Sequence, residues 1–361
     1  MSQSQTSSTV ASTPTVEYVS ITGRLIPISS EDHMKLARLA WSFRRAVQVA
    51  TRMIARGMDN NEILRELRKM LNKGYADSAF KIAKAIVKGC IATGGDPLHV
   101  EVRKLFIVSE GESSRLGNRN VRFMDTSMVK VKYPYDGSWI QLRAKFGEEY
   151  LPLLNELIGL ANQKKASYTA KIVFRDGEVY LHVSVPIELY LKHFRNGNAN
   201  GRLIAGFDLN SDRVNMVILD ELGVIRDAKT EWFPEATSPG FPRSKATALR
   251  LRALAKLLEY AYHHGVGVVV LEDLERIKKR RRYTKSKSAN RKITRFPKRK
   301  LLEHAIVMAM KYGFEVLLVD PKGTTSSSEH DEAMKKYGVD KHTASAYLVA
   351  LRALHQIKQT K

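Results

Sequence analysis

The stretch that most constrains this chain is Leu203-Ile204-Ala205-Gly206-Phe207-Asp208-Leu209-Asn210. Five apolar side chains and a glycine surround a single carboxylate, in a run that reads as a buried strand. An unpaired carboxylate buried there costs several kcal/mol or shifts its pKa. Asp208 therefore needs a partner: a positive side chain, a set of backbone donors, or a metal ion. A polar turn, Ser211-Asp212-Arg213, leads into a second apolar run over 214–220, and a third strand is expected at 223–228.

The elements that follow have a recognisable order. A helix is expected over about 244–264, lined by Leu249, Leu251, Leu254, Leu257 and Leu258. A buried strand, Val266 to Leu271, ends in Glu272-Asp273. A helix near 300–313, a strand over 315–319 and helices near 328–337 and 342–358 complete the series. The succession βββ-α-β-α-β-α is that of the ribonuclease H-like fold, an α/β architecture, whereas uniform βα alternation would indicate a doubly wound sheet. In that topology the first strand is central and pairs with the fourth. Asp208 then lies toward the end of the first strand and Glu272 at the end of the fourth, with the strands ~4.8 Å apart. Asp340, after Gly338-Val339, opens the last helix, where partial positive charge keeps a carboxylate ionised.

Three carboxylates at one point repel unless cations fill the gap. Oxygen donors without a Cys or His cluster select Mg²⁺ or Mn²⁺, and two such ions ~4 Å apart serve phosphodiester hydrolysis. Asp208, Glu272 and Asp340 are thus the candidate catalytic and metal-ligating residues. Simpler roles stay open: a turn-former for Asp208, a strand end for Glu272 and a helix N-cap for Asp340. Asp320 is a rival third carboxylate, although Val319-Asp320-Pro321 fits a strand-to-turn exit equally well. His342 is a weak ligand, a proton shuttle or a first-turn helix residue.

Charge points to the partner. Sixty Lys and Arg stand against 37 Asp and Glu, a formal net charge of +23. Such an excess suits a polyanion, because neutralising phosphates releases counterions. From Arg276 to Lys300 there are 14 basic residues and no acid. This run follows Glu272 directly and is expected to be a mobile phosphate-binding lid over 276–300. Arg280, Arg281, Arg282, Lys285, Arg291, Lys292, Arg295 and Lys298 are its candidate nucleic-acid contacts; a solvated linker or a localisation-like basic patch is the simpler reading. Arg44, Arg45, Arg52, Arg56, Arg65 and Lys69 on the early helices suit a duplex backbone or an ordinary exposed helix face. Cys90 is the single cysteine, so neither a disulfide within the chain nor a multi-thiolate zinc site is expected. No apolar run approaches the ~20 residues of a membrane span, and no signal peptide is evident. A cytoplasmic, nucleoid-associated protein of prokaryotic or viral origin is expected, with no membrane partner.

The N-terminal half has a different rhythm. Residues 1–15 carry no charged side chain and read as a disordered tail. A strand over 16–26 precedes helices at about 31–57, 60–72 and 76–88. Period-two patterning then covers 98–145, with strands at 100–108, 128–132 and 138–146. A helix at 147–162 and a hairpin over 168–185, turning at Arg175-Asp176-Gly177, follow. This is an antiparallel β domain over 16–200 with helices inserted at about 30–92, joined through an Asn- and Gly-rich linker at 196–201 to a domain over 201–361.

Several blocks resemble the TnpB proteins, transposon-encoded RNA-guided nucleases related to type V CRISPR effectors. The blocks are Gly206-Phe207-Asp208-Leu209-Asn210, Val269-Val270-Leu271-Glu272-Asp273-Leu274, and Val319-Asp320-Pro321 with Thr324-Thr325-Ser326. Asp340-Lys341-His342-Thr343-Ala344-Ser345-Ala346 is similar to the family's Asp-Arg-Asp-x-Asn-Ala-Ala ending. The resemblance implies a RuvC-type nuclease domain with Asp208, Glu272 and Asp340 as ligands of Mg²⁺ or Mn²⁺. It implies an N-terminal β-barrel wedge with a helical recognition insert, a guide RNA encoded near the gene, and a double-stranded DNA target. Two features depart from the family pattern. Residues 327–339 lack the usual four-cysteine zinc ribbon, so no zinc is expected, and His342 and Ala344 replace the common Asp and Asn. These departures favour, as alternatives, an RNA-guided DNA binder without cleavage that acts as a repressor. A guide-independent, structure-selective RuvC-like nuclease is a third reading.

Overall fold

In the computed structural model, residues 11–273, 298–324 and 327–360 are described, and they form two units. One is Glu17–His193; the other joins Met1–Val16 to Phe194–Lys361.

The first unit opens with β1 (Tyr18–Pro27), then α1 (Ser30–Ala55), α2 (Asn60–Met70) and α3 (Lys73–Ala92). Ser29 caps α1 by accepting the amide of Asp32 at 3.0 Å, with Glu31 and Asp32 in the first turn. Leu36, Leu39, Ala40, Phe43, Ala46, Val47 and Ala50 form its buried stripe at helical spacing. The strands that follow are β2 (Phe106–Ser109), the short β3 (Gly111–Glu112) and β4 (Gly117–Asn118), β5 (Val121–Phe123), β6 (Met128–Lys132) and β7 (Trp139–Lys145). Helix α4 (Leu151–Asn162), β8 (Thr169–Arg175), β9 (Glu178–Pro186) and α5 (Ile187–Phe194) end the series. The strand expected from residue 100 begins only at Phe106. Before it, the Gln48 side chain donates to the Val100 carbonyl and accepts from the Val102 amide, both at 2.8 Å. That side chain satisfies backbone groups that a partner strand would otherwise hold.

Seven strands make one antiparallel sheet in the order β2-β8-β9-β1-β7-β6-β5. The expected barrel is not closed. The sheet is a curled half-barrel whose edges are β2 and β5, with the short β3–β4 ladder apart from it. The β8–β9 hairpin turns at Asp176 and Gly177, both at positive φ (52° and 78°), which matches the twist of the paired strands.

The second unit contains β10 (Leu203–Leu209), β11 (Arg213–Leu219), β12 (Ile225–Trp232), α6 (Arg243–His263), β13 (Val266–Glu272), α7 (Lys298–Lys311), β14 (Glu315–Val319), α8 (Ser328–Tyr337) and α9 (Lys341–Thr360). Its sheet runs β12-β11-β10-β13-β14. Strand β10 is central, parallel to β13 and antiparallel to β11, and β13 is parallel to β14. This is the succession and the first-to-fourth pairing expected from the sequence. One face, with Ala205, Phe207, Met216, Ile218 and Val269, packs with residues of α6 and α7. The opposite face, with Ile204, Val217, Leu219, Val270 and Val319, packs with α9.

Two junctions differ from expectation. The segment at 196–201 is tied to the second unit: the amides of Asn196 and Ala199 donate to the carbonyls of Lys311 and Tyr312 at 2.6 and 3.0 Å. The tail expected to be disordered over 1–15 includes Ser12, whose amide and carbonyl exchange hydrogen bonds with Leu318 at 2.9 and 2.8 Å. Among the described residues no helix is long and apolar enough to cross a membrane. Of the basic segment, Arg280, Arg281, Arg282, Lys285, Arg291, Lys292 and Arg295 lie outside the described residues, and Lys298 begins α7.

Candidate active site

The placement of α9 is set by a glycine. A Cβ on Gly206 would lie 2.2 Å from the Ala346 carbonyl oxygen and 2.6 Å from the Ala350 amide nitrogen. Helix α9 thus rests on the backbone of β10, an approach open only to a residue without a side chain. Asp208 lies two residues further along the same face, 7% exposed.

Register fixes its neighbours. Asp208 is opposite Asn215 on β11, and Asn215 is opposite Thr230 on β12. On the other side Gly206 is the partner of Val270. Two residues further along each strand stand Asp208 and Glu272, which share the face under α9 because side chains alternate with period two. The structure therefore sets two of the three expected carboxylates on one face of adjacent parallel strands.

Each carboxylate is engaged. Asn210 Nδ2 donates to Asp208 Oδ2 at 2.7 Å, and His342 Nδ1 lies 3.0 Å from the same oxygen. Nδ1 and Asn210 Nδ2 are 3.1 Å apart. With a proton on Nδ1, both nitrogens donate to Asp208 and face each other as two donors. Glu272 Oε1 is 2.6 Å from the hydroxyl of Thr324, a fully buried residue whose hydroxyl is also 2.8 Å from the Pro321 carbonyl. One hydroxyl proton serves one acceptor at a time, so Thr324 orients Glu272 or closes its own turn.

Asp340 caps α9, accepting the amides of His342 and Thr343 through Oδ1 at 2.8 and 2.9 Å. Burial pushes its pKa up, but the hydrogen bonds from Thr343 and His342 outweigh this and hold it below the ordinary carboxylate value of 3.8. The N-cap role left open for Asp340 is thus realised, and the carboxylate stays ionised in that role. Asp320 accepts the Lys322 amide at 2.8 Å, the turn-forming alternative. His342 sits in the first turn of α9 and also contacts Asp208. Sequence reasoning did not foresee that contact, which depends on the Gly206 approach. Thr324 carried a signal only as part of a Thr-Thr-Ser block after the last strand.

Among the described residues, no group of three or more His, Cys, Asp or Glu is gathered closely enough to hold a metal ion. The donor chemistry of this face still suits a hard cation. Asp208 and Glu272 offer carboxylate oxygens, and Asn215 Oδ1 is buried with no hydrogen-bond partner. A buried acceptor left without a donor costs about 1–3 kcal/mol. The Asn215 Nδ2 group is occupied, 2.7 Å from Thr230 Oγ1 and 3.4 Å from Thr343 Oγ1.

The fold and this face define a mixed α/β protein with buried polar side chains between a five-stranded sheet and the start of a helix. The chain belongs to the SSO2105 family. A family model described as the SSO2105 N-terminal domain matches residues 18–195. The uncharacterized protein SSO2105 of Saccharolobus solfataricus is 42% identical over 96% of this chain and 94% of its own length. An uncharacterized protein of Aeropyrum pernix is 29% identical over 79% of this chain and 80% of its own. Among solved structures, Thermus thermophilus RuvC in complex with a Holliday junction substrate matches 44% of this chain and 96% of its own, with 17% identity and a TM-score of 0.31. A Cas12i1 R-loop complex matches 91% of this chain and 65% of its own, with 8% identity and a TM-score of 0.26.

Proposed function

We propose that the second unit is a ribonuclease H-like, RuvC-type nuclease domain. The protein would be a divalent-metal-dependent, RNA-guided DNA endonuclease of TnpB type. The observation that carries this reading is the placement of Asp208 and Glu272 on the same face of adjacent parallel strands, each two residues beyond the paired Gly206 and Val270. Asp208 and Glu272, joined by Asp340 from the α9 cap, would hold Mg²⁺ or Mn²⁺. What such ions supply is charge neutralisation at the scissile phosphate and an activated water. The chain's own residues do the rest. Asn210 and His342 fix the Asp208 carboxylate, and Thr324 fixes Glu272. A guide RNA would read the target by base pairing, the protein holding the heteroduplex through its backbone. The net charge of +23 supports a nucleic-acid partner. A cytoplasmic, nucleoid-associated location follows from this reading.

The test is plasmid cutting by protein purified with its co-purifying RNA, in Mg²⁺ or Mn²⁺. Cutting at a guide-matched site is expected, with a loss of about a hundredfold or more in Asp208→Ala. Cutting unchanged in that variant overturns the assignment. A second reading, a guided DNA binder that does not cut, is favoured by the engagement of Asp208 with His342 and of Asp340 with its own helix. Footprinting at a guide-matched site without cutting would establish it.

A further inference from the structure

The outer face of the half-barrel carries a second constellation, independent of the carboxylates. Along β5, β6 and β7 the inward positions are Val121, Phe123, Val129, Val131, Ile140 and Leu142, all buried. The alternate positions point outward, and register sets them in rows. Arg122 is opposite Lys130, Lys130 is opposite Gln141, and Lys132 is opposite Trp139. The Trp139 ring is the centre of the group. Arg122 and Lys130 each lie 5.1 Å from its centroid, and Lys132 lies at 5.2 Å.

The ring attracts each of the three cations, but they repel one another, and an anion on this face would relieve that repulsion. None of the three is paired with a carboxylate among the described residues. The Arg122 Nε contact is the Asn118 carbonyl at 3.4 Å, and Lys132 Nζ contacts the Gly137 carbonyl. The acids nearby are already engaged. Asp32 accepts the Gln141 amide at 3.2 Å and the Ser29 hydroxyl at 2.7 Å, and Asp136 pairs with Lys35 at 3.1 Å. The face continues along β7 and β1 with the exposed Arg143, Lys145 and Arg24; among the described residues Arg24 is paired with an acid, Glu178, at 2.8 Å.

We propose that this face binds single-stranded nucleic acid, with Arg122, Lys130 and Lys132 on its phosphates and a base stacked at Trp139. Charge complementarity selects a polyanion. The aromatic among the cations selects a single strand, because an unpaired base has a free π-face and a duplex base does not. Spacing agrees: cations alternate about 6.8 Å apart along a strand and ~4.8 Å across strands, a lattice that follows an extended chain of charges.

The experiment is anisotropy of a fluorescein-labelled single-stranded oligonucleotide with the full chain, in EDTA so that no cutting intervenes. Binding is followed across a salt series. The triple variant Arg122→Gln/Lys130→Gln/Lys132→Gln is expected to reduce the slope of log K against log salt by about 2, at about 0.7 per lost phosphate contact. Trp139→Leu is expected to weaken binding about tenfold without changing the slope, and Trp139→Phe to restore it. Circular dichroism and the melting temperature verify that each variant folds. A slope and affinity unchanged in the triple variant overturn the proposal. So does a loss for a duplex of the same length that equals the loss for the single strand. Because the readout is binding without metal, it does not depend on whether Asp208 and Glu272 cut.

Discussion

Two buried asparagines show how differently the two units treat a polar group. Asn118, in the half-barrel unit, is saturated. Its Oδ1 accepts from the Ser109 hydroxyl and from the amides of Asn120 and Val121, at 2.6, 3.0 and 2.9 Å. Its Nδ2 donates to the carbonyls of Ser109 and Tyr168 at 2.9 and 2.8 Å. Asn215, in the second unit, is equally inaccessible to solvent, yet its Oδ1 has no partner. A buried amide that serves the fold is satisfied on every side. The one left short stands opposite Asp208, on the face that carries the carboxylates. The difference separates a saturated polar network from a single buried acceptor left without a donor on the carboxylate face.

The largest effect that would sharpen this contrast is expected for Asn118→Leu. It takes a partner from the Val121 amide, the Ser109 hydroxyl and the Ser109 and Tyr168 carbonyls, while the Asn120 amide keeps the Ser109 hydroxyl oxygen at 3.2 Å; each group left unpaired costs about 1–3 kcal/mol. A urea titration should show a loss above about 3 kcal/mol, and a loss below about 1 would show that the network is not structural. Gly206→Ala comes next. Its new methyl meets the Ala346 carbonyl, which overpacks the strand against α9 at a cost of about 1–3 kcal/mol. The same change should move His342 away from Asp208, detectable as a shift of the His342 ring resonances by NMR. An unshifted ring would mean that the helix yields elsewhere. The smallest effect is expected for Asn215→Leu, which removes an orphan acceptor together with the hydrogen bond to Thr230 and the longer one to Thr343, and should alter stability by less than about 1 kcal/mol. If Asn215→Leu costs as much as Asn118→Leu, the contrast between the two sites fails.

The second unit was largely legible from its residues. Largely apolar runs over 203–209, 214–219 and 266–271, interrupted only by Asp208 and Asn215 among polar side chains, can bury both faces only inside a sheet, and their order left one topology with β10 in the centre. The half-barrel was legible in its hairpins and not in its extent. The run from residue 100 has strand composition, but a glutamine side chain from α1 supplies the hydrogen bonds there, and no local pattern reports a partner 54 positions away. Glu272 and Asp208 could be matched across strands because parallel register is nearly determined by where two runs end. The partner of Asp208 could not be foreseen. His342 reaches it only because a helix lies directly on Gly206, and that closeness is a property of two backbones rather than of any spacing along the chain.

The bridge between Ser12 and Leu318 gives the chain an unusual accounting of inside and outside. Residues from both sides of the half-barrel unit belong to the second unit, so in chain order the half-barrel is a guest between two parts of its host. Strand β14 is the last in its sheet, and a bare edge strand is a template for pairing with other chains. Here that edge is held by a segment synthesised some 300 residues earlier. During synthesis this segment waits, with its partner strand still unmade, until the entire half-barrel has emerged. The same contact that finishes the sheet therefore also guards it, a doorstop left in place before the door is hung.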